Sequence, residues 1–212
     1  MSGWNDEDMA RRVLADLWEG AYVNLGVGLP ITITNFLSPD SGIILHSENG
    51  LLGMGNPPPE DQRDGDVINA GSGFVTLWPG AACFDSSLSF MMVRGGHVDV
   101  AVLGAYQVAQ NGDLANWKRP GQTIASIGGA ADIAAGAREV WVLMKHRTND
   151  GAEARLLRDV TFPLTAKTCV KRVYTDMAVV HVTTAGFRLA ECAPGCTPAE
   201  VAAATDAPLL TS

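Results

Sequence analysis

The sequence predicts an α/β fold: an open, largely parallel sheet with helices on both faces and an antiparallel C-terminal edge. Three observations carry that expectation. Strand, glycine turn and helix follow one another three times along the chain. Residues 98–104 and 140–144 are short runs dominated by apolar side chains, the pattern of parallel strands covered on both faces. In the last third the pattern changes, with residues 177–182 and 187–191 flanking a Thr-Thr-Ala-Gly turn, which reads as an antiparallel hairpin.

Residues 6–19 form the first expected helix. Met9, Val13, Leu14 and Leu17 recur at helical steps. Asn5 is its N-cap, Asp6, Glu7 and Asp8 suit the positive end of the dipole, and Gly20 stops it. Residues 21–25 read as a strand running into Gly26-Val27-Gly28-Leu29-Pro30. Two glycines followed by a proline are either a plain strand-to-helix corner or a turn that exposes N–H groups to a ligand. Ile31, Ile33, Phe36 and Leu37 continue a short helix. Residues 42–46 form the next strand, and residues 56–66 a polar, proline-rich loop. Residues 67–71 are a short strand or loop. Residues 84–94 form a helix with Phe84, Leu88, Met91 and Met92 toward the core, ended by Gly95-Gly96. After the 98–104 strand comes a polar loop, 107–117. A second glycine turn from Ser126 to Asp132, centred on Gly128-Gly129, opens a helix through Ala137 ahead of the 140–144 strand. Near the end, Thr197, Pro198 and Glu200 make a helix start with a capping box. Neither a repeat nor an interdomain linker interrupts the sequence, so residues 1–212 are expected to form one domain.

Composition narrows the classes of function. A formal net charge of −8 disfavours nucleic acid and anionic membrane surfaces as partners. A phosphorylated ligand stays compatible, because glycine-loop amides alone can hold it. The four cysteines include one close pair, Cys192 and Cys196, without a second pair or a histidine beside it, so no metal site is expected. The acidic N-terminus lacks a secretory pattern, and no apolar run approaches the roughly 20 residues of a membrane span. The expected compartment is the cytoplasm.

The stretch Ser47-Glu48-Asn49-Gly50 organises the rest. It places a carboxylate where a β-branched run gives way to glycines. One reading is a hairpin turn, since Asn-Gly between apolar runs favours a tight reversal, with Glu48 an ordinary exposed acid. The other is a carboxylate held firmly where a ligand can approach.

Five tracts occur together and in order: 24–30 (Asn-Leu-Gly-Val-Gly-Leu-Pro), 47–50, 94–97 (Arg-Gly-Gly-His), 112–117 (Gly-Asp-Leu-Ala-Asn-Trp) and 128–132 (Gly-Gly-Ala-Ala-Asp). This set resembles the B (β) subunit of family I CoA-transferases acting on 3-oxo acids, over residues 5–210. Within that family, the Leu-Leu-Gly-Met-Gly after Gly50 and the tracts 103–108 and 173–176 are most similar to members acting on 3-oxoadipate. The resemblance implies that Glu48 is a nucleophile and that Asn24 and Gly129 are oxyanion-hole donors. It further implies that Gly26, Gly28, Asn49, Gly50 and Gly128 surround CoA or substrate. Two departures stand out: Ala131 replaces the family's usual Met, and Lys118-Arg119-Pro120 replaces the commoner apolar residues after Trp117.

The implied reaction takes CoA from succinyl-CoA to 3-oxoadipate through a glutamyl-CoA thioester. It needs no cofactor, metal or general base, so His97 is expected to serve a loop or a core hydrogen bond, and Asp113 and Asn116 to fix turns. A separate A (α) subunit is expected as partner, in an A2B2-like assembly. Arg94, Lys118 and Arg119 are candidates to meet the acid's distal carboxylate. Three other readings compete: acetoacetate or another 3-oxo acid as acceptor, a CoA-thioester hydrolase, and a ligand-binding domain without catalysis.

Overall fold

A computed structural model describes residues 3–123 and 127–211. In chain order its strands are β1 (Tyr22–Leu25), β2 (Ile44–Ser47), β3 (Leu51–Met54), β4 (Leu77–Cys83), β5 (Val100–Leu103), β6 (Gln107–Ala109), β7 (Leu114–Ala115), β8 (Glu139–Leu143), β9 (Leu156–Leu157), β10 (Val170–Tyr174), β11 (Ala178–Thr183), β12 (Gly186–Cys192) and β13 (Leu209–Leu210). The α-helices are α1 (Asp6–Leu14), α2 (Ser86–Arg94), α3 (Ala130–Gly136) and α4 (Pro198–Ala204). Ten strands form one sheet in the order β13-β12-β11-β10-β8-β5-β1-β2-β3-β4, and β7-β6-β9 form a small second sheet. The centre, β10-β8-β5-β1-β2, is parallel throughout. The β10-β11-β12 meander is antiparallel, as the 177–191 pattern requires.

Two-residue periodicity divides the core between the faces of this sheet. Val100 and Val102 of β5, with Trp141 and Leu143 of β8, pack toward Met9 and Val13 of α1. Ala101 and Leu103, with Val140 and Val142, pack on the other side against Val93 of α2 and Ile133 of α3. Both faces are therefore covered by helix, which is why β5 and β8 carry almost no polar residue.

Several elements differ from the sequence reading, each for a physical reason. Helix α1 starts at the expected Asn5 cap, which Asp8 completes as a capping box, but it ends at Leu14, short of Gly20. Asp16 breaks the pattern: its carboxylate accepts from Arg12 at 2.7 Å and from the Tyr174 hydroxyl at 2.7 Å, which ties the chain to the sheet. Residues Leu29–Phe36 form a 3-10 helix. Thr32 and Thr34 bond back to the carbonyls of Leu29 and Ile31, and β-branched residues crowd the segment. The apolar face expected for α2 is rotated, with Ser89 and Val93 buried and Leu88 and Met91 exposed. Residues 107–117 include the buried strands β6 and β7 rather than forming a polar loop, because the Gln107 amide is satisfied by Thr161 and Phe162. Strand β4 escapes sequence detection because it carries Pro79 and Gly80, which only a sheet edge tolerates.

Candidate active site

The five central strands end on one edge, and the residues just beyond them converge. Gly26 follows β1, Glu48 follows β2, Gly104 follows β5 and Met144 follows β8, while Asp176 lies two residues past β10; all line one cleft of about 1090 Å³. An open parallel sheet offers its ligand site at the carboxyl ends of its strands.

Glu48 is carried by a hairpin. His46 pairs with Leu52 and Ser47 with Leu51, antiparallel, so Glu48-Asn49-Gly50 is the connecting turn. Gly50 has φ +120° and lies so close to the segment leading into α2 that a Cβ there would be 1.9 Å from the Phe84 carbonyl oxygen. Only glycine fits that position, and the Phe84 amide closes the contact by donating to Gly50 O at 3.0 Å. The turn is anchored further by Asn49, whose amide donates to Ile68 O at 2.7 Å, and by Ser47, whose hydroxyl accepts from Ala70 N at 3.0 Å. Both sequence readings of this stretch thus hold in part. It is a hairpin, yet Glu48 is half-buried and faces the cleft.

Asn24 meets it from the neighbouring strand. The two central strands are parallel, with Asn24 in register with His46. The buried Asn24 amide nitrogen lies 3.3 Å from Glu48 Oε2, 3.1 Å from His46 Nδ1 and 3.4 Å from His46 O. Its Oδ1 is buried without a partner among the described residues. The reverse orientation would turn that oxygen onto a carboxylate and a carbonyl, so the amide points its donor at Glu48 despite the orphaned acceptor.

Gly129 is the residue before α3, and with Gly128 it lines the same cleft. Its backbone is pressed on Phe90 of α2: a Cβ at Gly129 would stand 2.8 Å from Phe90 Cζ. Gly128 needs its positive φ of +51° to make the turn, and Ser126 lies outside the described residues. Gly26 crosses close over β5, where a Cβ would meet Leu103 Cα at 3.3 Å. Glu48, Gly26, Gly128 and Gly129 therefore share one cavity, with Asn24 bonded to Glu48 from beneath. Gly28, Asn49 and Gly50 are not among its lining residues; Gly28 heads the 3-10 helix, and the other two shape the hairpin.

The charged residues sort themselves by partner. Arg94 pairs with Asp132 at 2.9 Å, away from the cleft. Arg119 lies over the Tyr106 ring and Lys118 near the Trp117 ring. His97 is exposed on its loop, Asp113 accepts from Thr168 N, and Asn116 donates to Gly104 O from the cleft wall. Sequence reasoning missed Arg155, which lines the cleft. Arg147 there is engaged with Gly151 O and Ala152 O, and Lys145 with Asp6. The Arg155 guanidinium has no hydrogen bond or ion pair among the described residues. Burial and the nearby Arg119 hold its pKa below the usual arginine value. No local motif marked it; only folding brings it beside the strand ends.

A family model for coenzyme A transferases matches residues 7–204. The chain is 52% identical over 185 residues to the B subunit of 3-oxoadipate CoA-transferase from Pseudomonas putida, covering 87% of this chain and 86% of that one. It is 43% identical over 201 residues to the B subunit of succinyl-CoA:3-ketoacid coenzyme A transferase from Helicobacter pylori, covering 95% and 96%. Its fold matches the acyl-CoA transferase YdiF of Escherichia coli O157:H7, solved as a thioester complex with CoA, with a TM-score of 0.78 at 23% identity. All of this chain is covered in that match, but only 42% of YdiF, so the chain spans about two fifths of that longer protein.

Proposed function

The chain belongs to the coenzyme A transferase family, and from that premise we propose that it is the catalytic B subunit of an enzyme moving CoA from succinyl-CoA to 3-oxoadipate through a thioester on Glu48. The observation that carries the proposal is the Asn24 amide 3.3 Å from Glu48 Oε2, in a cleft shared with Gly129.

Glu48 attacks the thioester carbonyl of succinyl-CoA, and the C–S bond breaks to release the CoA thiolate and leave a mixed anhydride. The thiolate attacks the Glu48 acyl carbon and expels succinate, which leaves CoA bonded to Glu48. 3-Oxoadipate then attacks this thioester, and the same steps in reverse give its CoA ester and free Glu48. Charge develops on the Glu48 oxygen when the thiolate adds. Asn24 is already aimed at that oxygen, and the N–H of Gly129 is the second donor of the proposal.

The cleft is open on this chain alone, while anhydride and thioester both need shelter from water. Val27, 65% exposed, and the exposed Ile127 present apolar side chains at the cleft. A separate A subunit laid over this mouth would cover them, in an assembly of A2B2 type. Arg155, cationic and without an ion pair among the described residues, is suited to meet the distal carboxylate of a dicarboxylate acceptor. The Helicobacter relative's name favours a second reading, another 3-oxo acid as acceptor.

The test incubates the two co-purified subunits with succinyl-CoA and reduces the product with borohydride. A mass change confined to the peptide bearing Glu48 supports the covalent route, and a Glu48→Gln variant turning over at full rate refutes it. Comparing 3-oxoadipate with acetoacetate as acceptor, in the wild type and in Arg155→Gln, decides the substrate.

A further inference from the structure

The mechanism above makes no use of a histidine, yet a fully buried histidine touches its oxyanion donor. His46 is 0% exposed and in register with Asn24 on the adjacent parallel strand, so both side chains lie on the same side of the sheet. Its Nδ1 is 3.1 Å from Asn24 Nδ2, and its Nε2 is 2.8 Å from the hydroxyl of Ser89, itself 0% exposed on α2. That hydroxyl lies 3.4 Å from Ser47 O.

The chemistry of the partners fixes every proton in this chain of contacts. An amide nitrogen only donates, so Nδ1 must accept; the imidazole proton is then on Nε2 and goes to Ser89, which donates onward to Ser47 O. An imidazolium would set an N–H against the Asn24 N–H, so the ring works only when neutral. Burial favours the same state and holds the His46 pKa down to about 4.

We propose that His46 is a positioning residue for the transfer reaction: held by Ser89, it keeps the Asn24 amide turned donor-first toward Glu48. The proposal rests on the reading of Glu48 as nucleophile. Without the Nδ1 acceptor, the amide proton on that side keeps only the longer, 3.4 Å contact to His46 O, and rotation of the amide is opposed less strongly. The same helix serves the other donor, since Phe90, next to Ser89, abuts Gly129. One helix thereby registers both donors to one carboxylate.

The experiment compares His46→Leu, His46→Gln and Ser89→Ala, each with Asn24 intact and with Asn24→Ala, all co-purified with the A subunit. Turnover, KM for succinyl-CoA, the rate of borohydride-trapped adduct formation and the melting temperature are measured. His46→Leu should lower kcat roughly tenfold, about the worth of one neutral hydrogen bond, with KM within about twofold. His46→Gln should recover most of that loss, because a neutral amide offers one acceptor and one donor. In the Asn24→Ala background, His46→Leu and Ser89→Ala should cost nothing more in kcat, because the group they orient is gone. An equal loss in both backgrounds would overturn the proposal and assign His46 to packing alone, as would a wild-type rate for His46→Leu. If the leucine variant does not fold, Ser89→Ala in the two backgrounds decides the question in the same way. The adduct assay on Glu48→Gln separates this failure from failure of the nucleophile reading, which the His46 variants do not touch.

Discussion

Replacing Asn24 by alanine separates catalysis from stability more cleanly than any other change at this site. The amide nitrogen donates to Glu48 Oε2 and to His46 Nδ1, with a longer contact to His46 O, and the side chain carries a buried oxygen with no partner among the described residues. Truncation removes both bonds and orphans Nδ1, but it also removes the orphaned Oδ1. The unsatisfied acceptors nearly cancel, which leaves a net folding cost of about 1 kcal/mol plus a small cavity term. For a chain of this size that is a fall of about 2–4 °C in melting temperature. Catalysis has no such offset. Loss of one preorganised oxyanion donor costs roughly 10²–10³ in kcat, or about 2.7–4 kcal/mol. Steady-state transfer, the rate of adduct trapping and a thermal melt on the same preparation would measure both effects. If kcat stays within about threefold of wild type while the melt is unchanged, Asn24 is not an oxyanion donor, and the geometric basis of the proposed reaction fails.

Gly129→Ala should drive a methyl into Phe90, 2.8 Å from Cζ, and displace the loop by a few tenths of an ångström. Turnover should fall roughly tenfold or more with little change in melting temperature, and adding Phe90→Leu should restore part of it; a failure of the second change to help would assign the loss elsewhere. Stability should also fall with acid. Burial holds His46 and His146 neutral down to about 4, against an ordinary value of 6.5, so below 6.5 the unfolded chain binds more protons than the folded one. The neutral-state stabilisation is present above 6.5, declines as pH drops, and is gone below about 4, at up to about 3 kcal/mol per histidine. Urea melts between pH about 7 and about 4.5 should follow this, and a His46→Gln/His146→Gln variant should have a flatter profile; an unchanged slope would assign the acid sensitivity to carboxylates.

Strands β5 and β8 at the centre of the sheet were legible in the sequence because burial on both faces leaves them little but Val, Leu, Ala and Trp to use. The N-cap at Asn5 and the capping box at Thr197 were legible because they are local: one side chain satisfies an amide three residues away. What the sequence concealed depended on distant partners. Helix α1 stops early because Asp16 is claimed by Arg12 and Tyr174, and strands β6 and β7 look polar because Gln107 finds its partners more than fifty residues on. Arg155 and Ser89 belong to the same class. Nothing near either in sequence distinguishes it from an ordinary polar residue, and the cleft and the helix face that give them their surroundings exist only after folding.

Glu48, as the proposed nucleophile, illustrates why a turn motif and a reactive group need not compete for the same residues. A carboxylate that must meet an acyl carbon needs an immobile backbone and an accessible side chain, and a hairpin tip supplies both. Gly50 closes the turn against Phe84 O where no Cβ fits, and Asn49 and Ser47 pin either side of it. The backbone is thus fixed by three residues other than Glu48, and its side chain is left to Asn24 and the cleft. The β2 register then does the rest. Opposite Asn24 stands His46, so the residue that orients the donor and the residue that receives its hydrogen bond are two apart in sequence, at the end of one strand. Shifting that strand by a single position would turn both away from Asn24 at once.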